Sequence, residues 1–386
     1  MKKLALILVL VMSIFFTACP GPEEEGEKGE GTNNVQTKEI NMQSAKEFMD
    51  NYMRYVIKMD MDVMRSFYTK RFREQIKDIP KTNNPHPIGY SVGEGENKGE
   101  NGEFTVKIFN GSTGSPYYSS DTYKYKIVME DGKMLIDDIT KEKEVEVYGK
   151  GKNLLMKEGG DVEERYILSV DELPSYASPL ASPERKLAVS KDGLGPCALS
   201  PDERSIVITS TGKNSLVVTG EFQEAESAMK QQEGDKKTGG KEDKKGGKGE
   251  EENGGKEEDK EEKQDIDKNI LQKAEVKLNP VDVYVDAKIN TITFSPDGKI
   301  FAVQIAPVGG LDQIKLYRSD KGEPIKTYKI NTNFRSDRFS LTNPYFTSPE
   351  ALSFTVTAVS GAQAEESALE GEWSYDIKSD NLKKTR

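Results

Sequence analysis

One histidine and two cysteines in 386 residues leave little room for familiar hydrolytic chemistry. A Ser/His/Asp or Cys/His mechanism has only His86 for its base, and a zinc site would need its other ligands from carboxylates. His86 stands between prolines in Asn84-Pro85-His86-Pro87, a context that predicts an exposed histidine on an extended, irregular connection. No catalytic residue, metal ligand set or cofactor is therefore expected. The two cysteines provide no disulfide framework. Cys197, in Gly195-Pro196-Cys197-Ala198-Leu199, leads into an apolar stretch and reads as a small buried hydrophobe, with a reactive thiol as the alternative. A formal charge of -11 argues against nucleic acid or anionic lipid as the main partner, although acidity also simply keeps a chain soluble.

Long apolar runs are also missing. The longest begins at Leu4, after Lys2 and Lys3, and reaches Phe16 with Ser13 as its one interruption. It falls well short of the about 20 residues that span a bilayer, so residues 1-18 are expected to be a cleaved signal. Their loss removes two lysines and no acid, taking the formal charge from -11 to -13. Phe16-Thr17-Ala18-Cys19 resembles the lipobox of bacterial lipoproteins, with Phe16 where the family usually has Leu. That resemblance implies lipid attachment at Cys19, and two or three acyl chains there meet the condition for stable anchoring. A plain secretory signal with an incidental cysteine is the alternative. Residues 19-38 lack an apolar cluster and read as a disordered tether with an r.m.s. reach of about 25 Å. An extracytoplasmic protein, anchored to a bacterial membrane at the periplasmic face or the cell surface, is the expected location.

The expected fold class is multidomain: an α+β domain over 39-150, then a mainly-β domain over 151-386, with disordered segments. Ser44-Ala45-Lys46-Glu47 predicts a capping box, followed by Phe48, Met49, Tyr52, Met53 and Val56 at helical spacing. Asp60 predicts the cap of one further helix carrying Val63, Met64, Phe67, Phe72 and Ile76, closed by Pro80. Residues 81-102 read as a polar, glycine-rich loop. Apolar alternation then predicts strands around Phe104 to Ile108 and Tyr123 to Met129, and Asp131-Gly132 predicts a hairpin into Met134 to Ile139. Two helices ahead of a curved antiparallel sheet make a cone. With the polar break at Lys58-Met59-Asp60 and the closing Ile136-Asp137-Asp138-Ile139, residues 44-148 resemble an NTF2-like domain. That family includes both proton-moving enzymes and members that only bind. An enzyme would need a carboxylate raised in pKa by an apolar cavity, for which Asp62 and Asp137 come into view, though both read better as solvated charges.

In the second region a phrase recurs: Ser182-Pro183-Glu184, Ser200-Pro201-Asp202, Ser295-Pro296-Asp297 and Ser348-Pro349-Glu350, each ahead of a strand-like run. Serine, proline and an acid suit a turn. The fullest copy, Ile292 to Val303 continued by Ile314-Lys315-Leu316-Tyr317 and Gly322, resembles a blade of a TolB-like or WD40-like β-propeller. Without Gly-His and Trp-Asp pairs, the TolB-like comparison is nearer. Trp373-Ser374-Tyr375-Asp376 before Asn381-Leu382 looks like the last strands of a further blade. The alternative is a generic turn in another all-β domain. Blades recur about every 40 to 50 residues. The first two copies are only 18 residues apart and the last two 53. Residues 224-268, dominated by Lys, Glu, Gly and Gln, read as a disordered insertion, a solvated spacer or an electrostatic contact. What is left has room for about four blades, either in a small irregular ring or in an open, partner-completed sheet.

The leading expectation is a non-catalytic scaffold of the cell envelope with an envelope or extracellular protein as its partner. The runner-up is a lipid-anchored carrier or enzyme whose cone holds an apolar small molecule beside a carboxylate.

Overall fold

Apolar residues spaced by two dominate the chain beyond Phe104, and they assemble into a mainly-β structure. The computed structural model describes residues 40-76, 84-159, 164-176, 187-223 and 273-385. Cys19, the segments 1-18 and 19-38, the Ser182-Pro183-Glu184 phrase and the 224-268 insertion lie outside the described residues. Within them, no helix is long and apolar enough to cross a membrane.

The helices come first. α1 (Met42–Ile57) buries Ala45, Met49, Tyr52, Met53 and Val56 on one stripe. Its cap is Asn41, whose side chain accepts the Ser44 N–H at 2.9 Å, so the expected capping box at Ser44 lies inside the helix. Asparagine caps as well as serine does, and burial of Ile40 just ahead of it fixes the earlier start. Met59, at φ 52°, turns the chain, and Asp60 caps α2 (Met61–Ser66) by accepting the Val63 N–H. The single helix expected from Asp60 is two helices. Tyr68 bridges to Ile136, the Thr69 N–H donates to the Ile136 carbonyl at 2.9 Å, and Thr69 caps α3 (Lys70–Gln75). Pairing with a strand takes the backbone groups that a continuous helix would have used.

Six antiparallel strands follow in chain order: β1 (His86–Asn97), β2 (Asn101–Gly111), β3 (Tyr117–Glu130), β4 (Lys133–Lys150), β5 (Asn153–Glu158) and β6 (Arg165–Ser169). β1 occupies the stretch that reads as a loop. Its glycines are structural: a Cβ on Gly95 would lie 2.4 Å from both Met42 Cε and the Phe104 ring. The β3–β4 turn has φ 50° at Asp131 and 75° at Gly132, as the hairpin reading requires. The sheet does not stop at residue 150, which lies in the β4–β5 hairpin, because β5 and β6 extend the same ladder.

The long strands serve two cores. At one end, Phe104, Val106, Ile108, Tyr125, Ile127 and Ile136 face Tyr52, Met53 and Phe72 of the helices. Phe109, Tyr118, Val145, Val147 and Leu154 point the other way and join the core of the sheets that follow. Register shifts at Thr122/Tyr123 and Lys126/Ile127 in the β3–β4 ladder accompany the change.

Three smaller antiparallel sheets complete the described residues. The first has β11 (Val276–Val285), β10 (Asn214–Phe222) and β9 (Ser205–Thr211) side by side, with β7 (Gly193–Leu194) and β8 (Ala198–Leu199) sharing the far edge of β9. The second is the meander β12 (Ala287–Phe294), β13 (Ile300–Pro307), β14 (Gln313–Arg318) and β15 (Pro324–Ile325). The third is the meander β16 (Phe339–Ser348), β17 (Ala351–Ala358), β18 (Gly371–Asp376) and β19 (Asn381–Lys384), so the Trp373-containing phrase forms its last strands. Short helices α4 (Tyr328–Asn333) and α5 (Ala364–Ser367) lie before and within it.

Two copies of the serine-proline-acid phrase build the same turn, bond for bond. Ser200 Oγ accepts the Ser205 N–H at 3.0 Å and donates to Asp202, which also accepts the Arg204 N–H. Ser295 Oγ accepts the Ile300 N–H at 3.0 Å and donates to Asp297, which accepts the Lys299 N–H. Glu203 and Gly298 hold the left-handed position, at φ 62° and 71°. The Ser348 copy is a tighter turn, with Ser348 and Ala351 directly paired across Pro349-Glu350.

β8, β12 and β16 all contact β1 or β3 of the six-stranded sheet. Thr293 Oγ1 donates to the Ile88 carbonyl at 2.8 Å, and Lys107 Nζ donates to the Pro201 carbonyl at 2.8 Å. Residues Glu39–Arg386 accordingly form one compact unit, with the long sheet lying against the first strands of the smaller ones.

Candidate functional site

Where α1 and α2 meet the six-stranded sheet, a cavity of about 400 Å3 opens. One wall is apolar: Val56, Met59, Met61, Met64, Pro85, Pro87 and Ile108. The Met59 turn brings three methionines together there, and their flexible side chains adapt to varied shapes. The opposite wall is polar. Ser119, Asp121 and Tyr123 follow at intervals of two along β3, so they share a face, with Asn110 on β2 and Glu144 on β4 beside them.

Asp121 is the centre of that wall and is only 8% exposed. Asn110 Nδ2 donates to Asp121 Oδ2 and to Ser119 Oγ, both at 3.0 Å. Lys141 Nζ lies 3.2 Å from Asp121 Oδ1 and 2.8 Å from Glu144 Oε1. Burial pushes the Asp121 carboxyl above its ordinary range, and the Lys141 ammonium and the Asn110 amide only partly offset it. Tyr117 donates to Glu146 at 3.0 Å, and burial together with that carboxylate pushes its phenol up to about 12. Burial and the Asp121 charge raise Tyr123 as well. The arrangement suits recognition of a molecule with an apolar body and a polar head.

The two acids singled out in the sequence lie elsewhere. Asp62 is exposed on α2. Asp137 is clamped by Arg71 at 2.9 Å and by the Thr69 hydroxyl at 3.0 Å, and the Arg71 guanidinium holds it below the ordinary carboxylate range despite partial burial. It therefore fixes α3 to β4. His86 is a scaffolded residue, contrary to the loop expectation: it opens β1 opposite Gly111 and is half-buried. The cradle for it is a smaller cavity of about 160 Å3 that it shares with Lys58, Thr291, Tyr345 and Glu372. Cys197 is buried, and burial pushes its thiol up to about 12. Among the described residues, no group of three or more His, Cys, Asp and Glu side chains converges as a metal site.

The sequence carried one overlooked signal for Asp121. Ser119-Ser120-Asp121 places polar residues on both faces of a strand, and all three are buried. A strand that abandons apolar alternation while remaining inside needs a polar reason.

No family model and no curated protein sequence matches the chain. Among solved structures, it is similar to TolB from Acinetobacter baumannii, with a TM-score of 0.31 and 10% identity over 79% of this chain and 63% of that one. It is similar also to prolyl oligopeptidase B from Galerina marginata, with a TM-score of 0.32 and 9% identity over 79% of this chain and 36% of that one. A puromycin hydrolase aligns with a TM-score of 0.28 and 10% identity over 78% and 46%. The chain thus spans less than two thirds of each of these three structures. Likeness at this level assigns no activity.

Proposed function

We propose that this protein is an extracytoplasmic lipoprotein of a bacterial envelope, anchored through Cys19, that binds a small molecule without transforming it. The single observation carrying the binding role is the cavity with a methionine-rich wall facing the buried Asp121. The charged start, the short apolar run and Ala18-Cys19 support the anchor. Helices on one face of a long sheet support an NTF2-like reading of the first part. Three small antiparallel sheets with a repeated turn support a propeller-like reading of the rest, with their contacts to the long sheet holding the cavity at a fixed place.

Native mass spectrometry of the full chain, with a thermal-shift panel of amphipathic small molecules, tests the binding role. A co-purifying or stabilising ligand whose effect disappears in Met64→Trp, which fills the cavity, is the expected result. Absence of any ligand effect in both proteins would overturn it. Loss of acyl label and of membrane fractionation in Cys19→Ala is the matching expectation for the anchor.

A second reading, docking of an envelope or extracellular protein, draws on Val308 and Tyr328, apolar side chains that are 81% and 61% exposed. Crosslinking in cells followed by mass spectrometry would place a partner beside them, and crosslinks confined to other surfaces would remove this reading.

A further inference from the structure

The polar wall of the cavity is rich in acceptors, and its charge is unbalanced. Both Asn110 amide hydrogens are committed, one to Ser119 and one to Asp121. Tyr117 gives its proton to Glu146, and Tyr123 stands beside Asp121 on the same face of β3. Lys141 lies against two carboxylates at once, Asp121 and Glu144. What remains for a ligand is chiefly the lone pairs of Asp121 and Glu144, with the Ser119 and Tyr123 hydroxyls able to donate or accept beside them, in a setting of two negative charges and one positive.

From this we infer that the cavity selects an amine: a small amphipathic cation whose ammonium reaches Asp121 and Glu144 while its apolar body lies along Met59, Met61, Met64 and Pro87. The inference rests on the small-molecule reading above and narrows it to one ligand class. An ammonium supplies further donors to the lone pairs that Asn110 and Lys141 leave open on these carboxylates, and it brings the cluster to neutrality. A carboxylate ligand would meet like charge. An alcohol would gain the apolar contacts and lose the charge term. Desolvation of Asp121 strengthens the discrimination, because a buried charge interacts more strongly with an incoming one.

Three probes with one apolar body separate these cases: phenylpropylamine, phenylpropanol and phenylpropionate, titrated calorimetrically into the full chain in nanodiscs against empty nanodiscs. Amine binding about tenfold or more tighter than the alcohol, with that preference lost in Asp121→Asn, is the expected result. Asparagine keeps the size of the side chain, so the variant's alcohol affinity reports whether the cavity is intact. Alcohol or acid binding as tight as the amine would overturn the amine inference and leave the cavity reading standing. An amine preference that survives in Asp121→Asn would overturn it too, by placing the charge recognition elsewhere. If none of the three binds, both readings fall.

Discussion

Lys58 Nζ lies 2.7 Å from Glu372 Oε2, although 314 residues separate them in the chain. Lys58 caps the C-terminal end of α1, where a cation complements the helix dipole, and Glu372 belongs to β18. Both side chains are about three-quarters buried, at 24% and 23% exposure. A double-mutant cycle of Lys58→Ala and Glu372→Ala is expected to give a coupling of about 0.5 to 1 kcal/mol, above that of a fully solvated pair. Urea unfolding of each variant measures it. Zero coupling would mean that the pair contributes nothing to holding the helical end against the last sheet.

The Ser295 turn makes a sharper claim. Its hydroxyl is the acceptor for the buried Ile300 N–H, and that hydroxyl in turn donates to Asp297. Although burial pushes the Asp297 carboxyl up, the Ser295 hydroxyl and the Lys299 amide and ammonium hold it below its ordinary value. Ser295→Ala leaves a buried donor unmet and is expected to cost about 1 to 3 kcal/mol. Ser200→Ala, with the same bonds, should cost a similar amount, whereas Ser348→Ala, in a two-residue turn without that network, should stay within about 0.5 kcal/mol. Chemical denaturation of the three variants checks the order, and an equal cost at all three positions would refute it.

The same turns show what could be read from the sequence and what could not. Serine, proline and an acid before an apolar run carry their own local chemistry, so the turns at Ser200 and Ser295 were legible, as were Asp60 as a cap and Asp131-Gly132 as a hairpin. β1 was hidden because its pairing is tertiary: Gly93, Glu94, Gly95 and Glu96 match no strand pattern until Phe104 and Met42 press on the backbone at Gly95. The helix break at Tyr68 has the same origin, since Ile136 lies 68 residues away. About four blades were expected and three small sheets are described, and Asn153–Glu158 and Arg165–Ser169, which the expectation counted with the second region, extend the long sheet instead. The site was legible only as a cone holding a carboxylate. Asp62 and Asp137 are the acids the cone reading brings into view, and their charged neighbours read them as solvated; the acid that burial isolates is Asp121, and burial depends on residues from β2, β3 and β4 together.

Cys197 offers a direct measure of core integrity. The thiolate is the reactive form, and burial pushes this thiol up to about 12, so almost none is ionised at pH 8. In the native chain at pH 8, iodoacetamide is expected to leave Cys197 unmodified over the time in which urea-unfolded protein is fully labelled. Peptide mapping reads that site separately from Cys19. Rapid native labelling would contradict the buried position between β7 and β8.

Asp121 should destabilise the protein that uses it. Its folded-state pKa lies above the ordinary value of 3.8, burial being the largest cause, so folding disfavours the charged form. The sign follows: relative to a residue that cannot ionise, wild type keeps its full stability below that ordinary value and loses some as pH rises through the raised one. Asp121→Asn preserves the side-chain volume and leaves Lys141 paired with Glu144. The urea midpoint of Asp121→Asn is therefore expected to match wild type near pH 3 and to exceed it at pH 7, with the gap opening above the ordinary aspartate range. A variant less stable than wild type at pH 7 would show that the Lys141 pair outweighs desolvation, and Asp121 would then be a structural ion pair. A more stable variant that has also lost ligand binding would be a residue kept at a cost to the fold, the pattern expected where stability is given up for recognition.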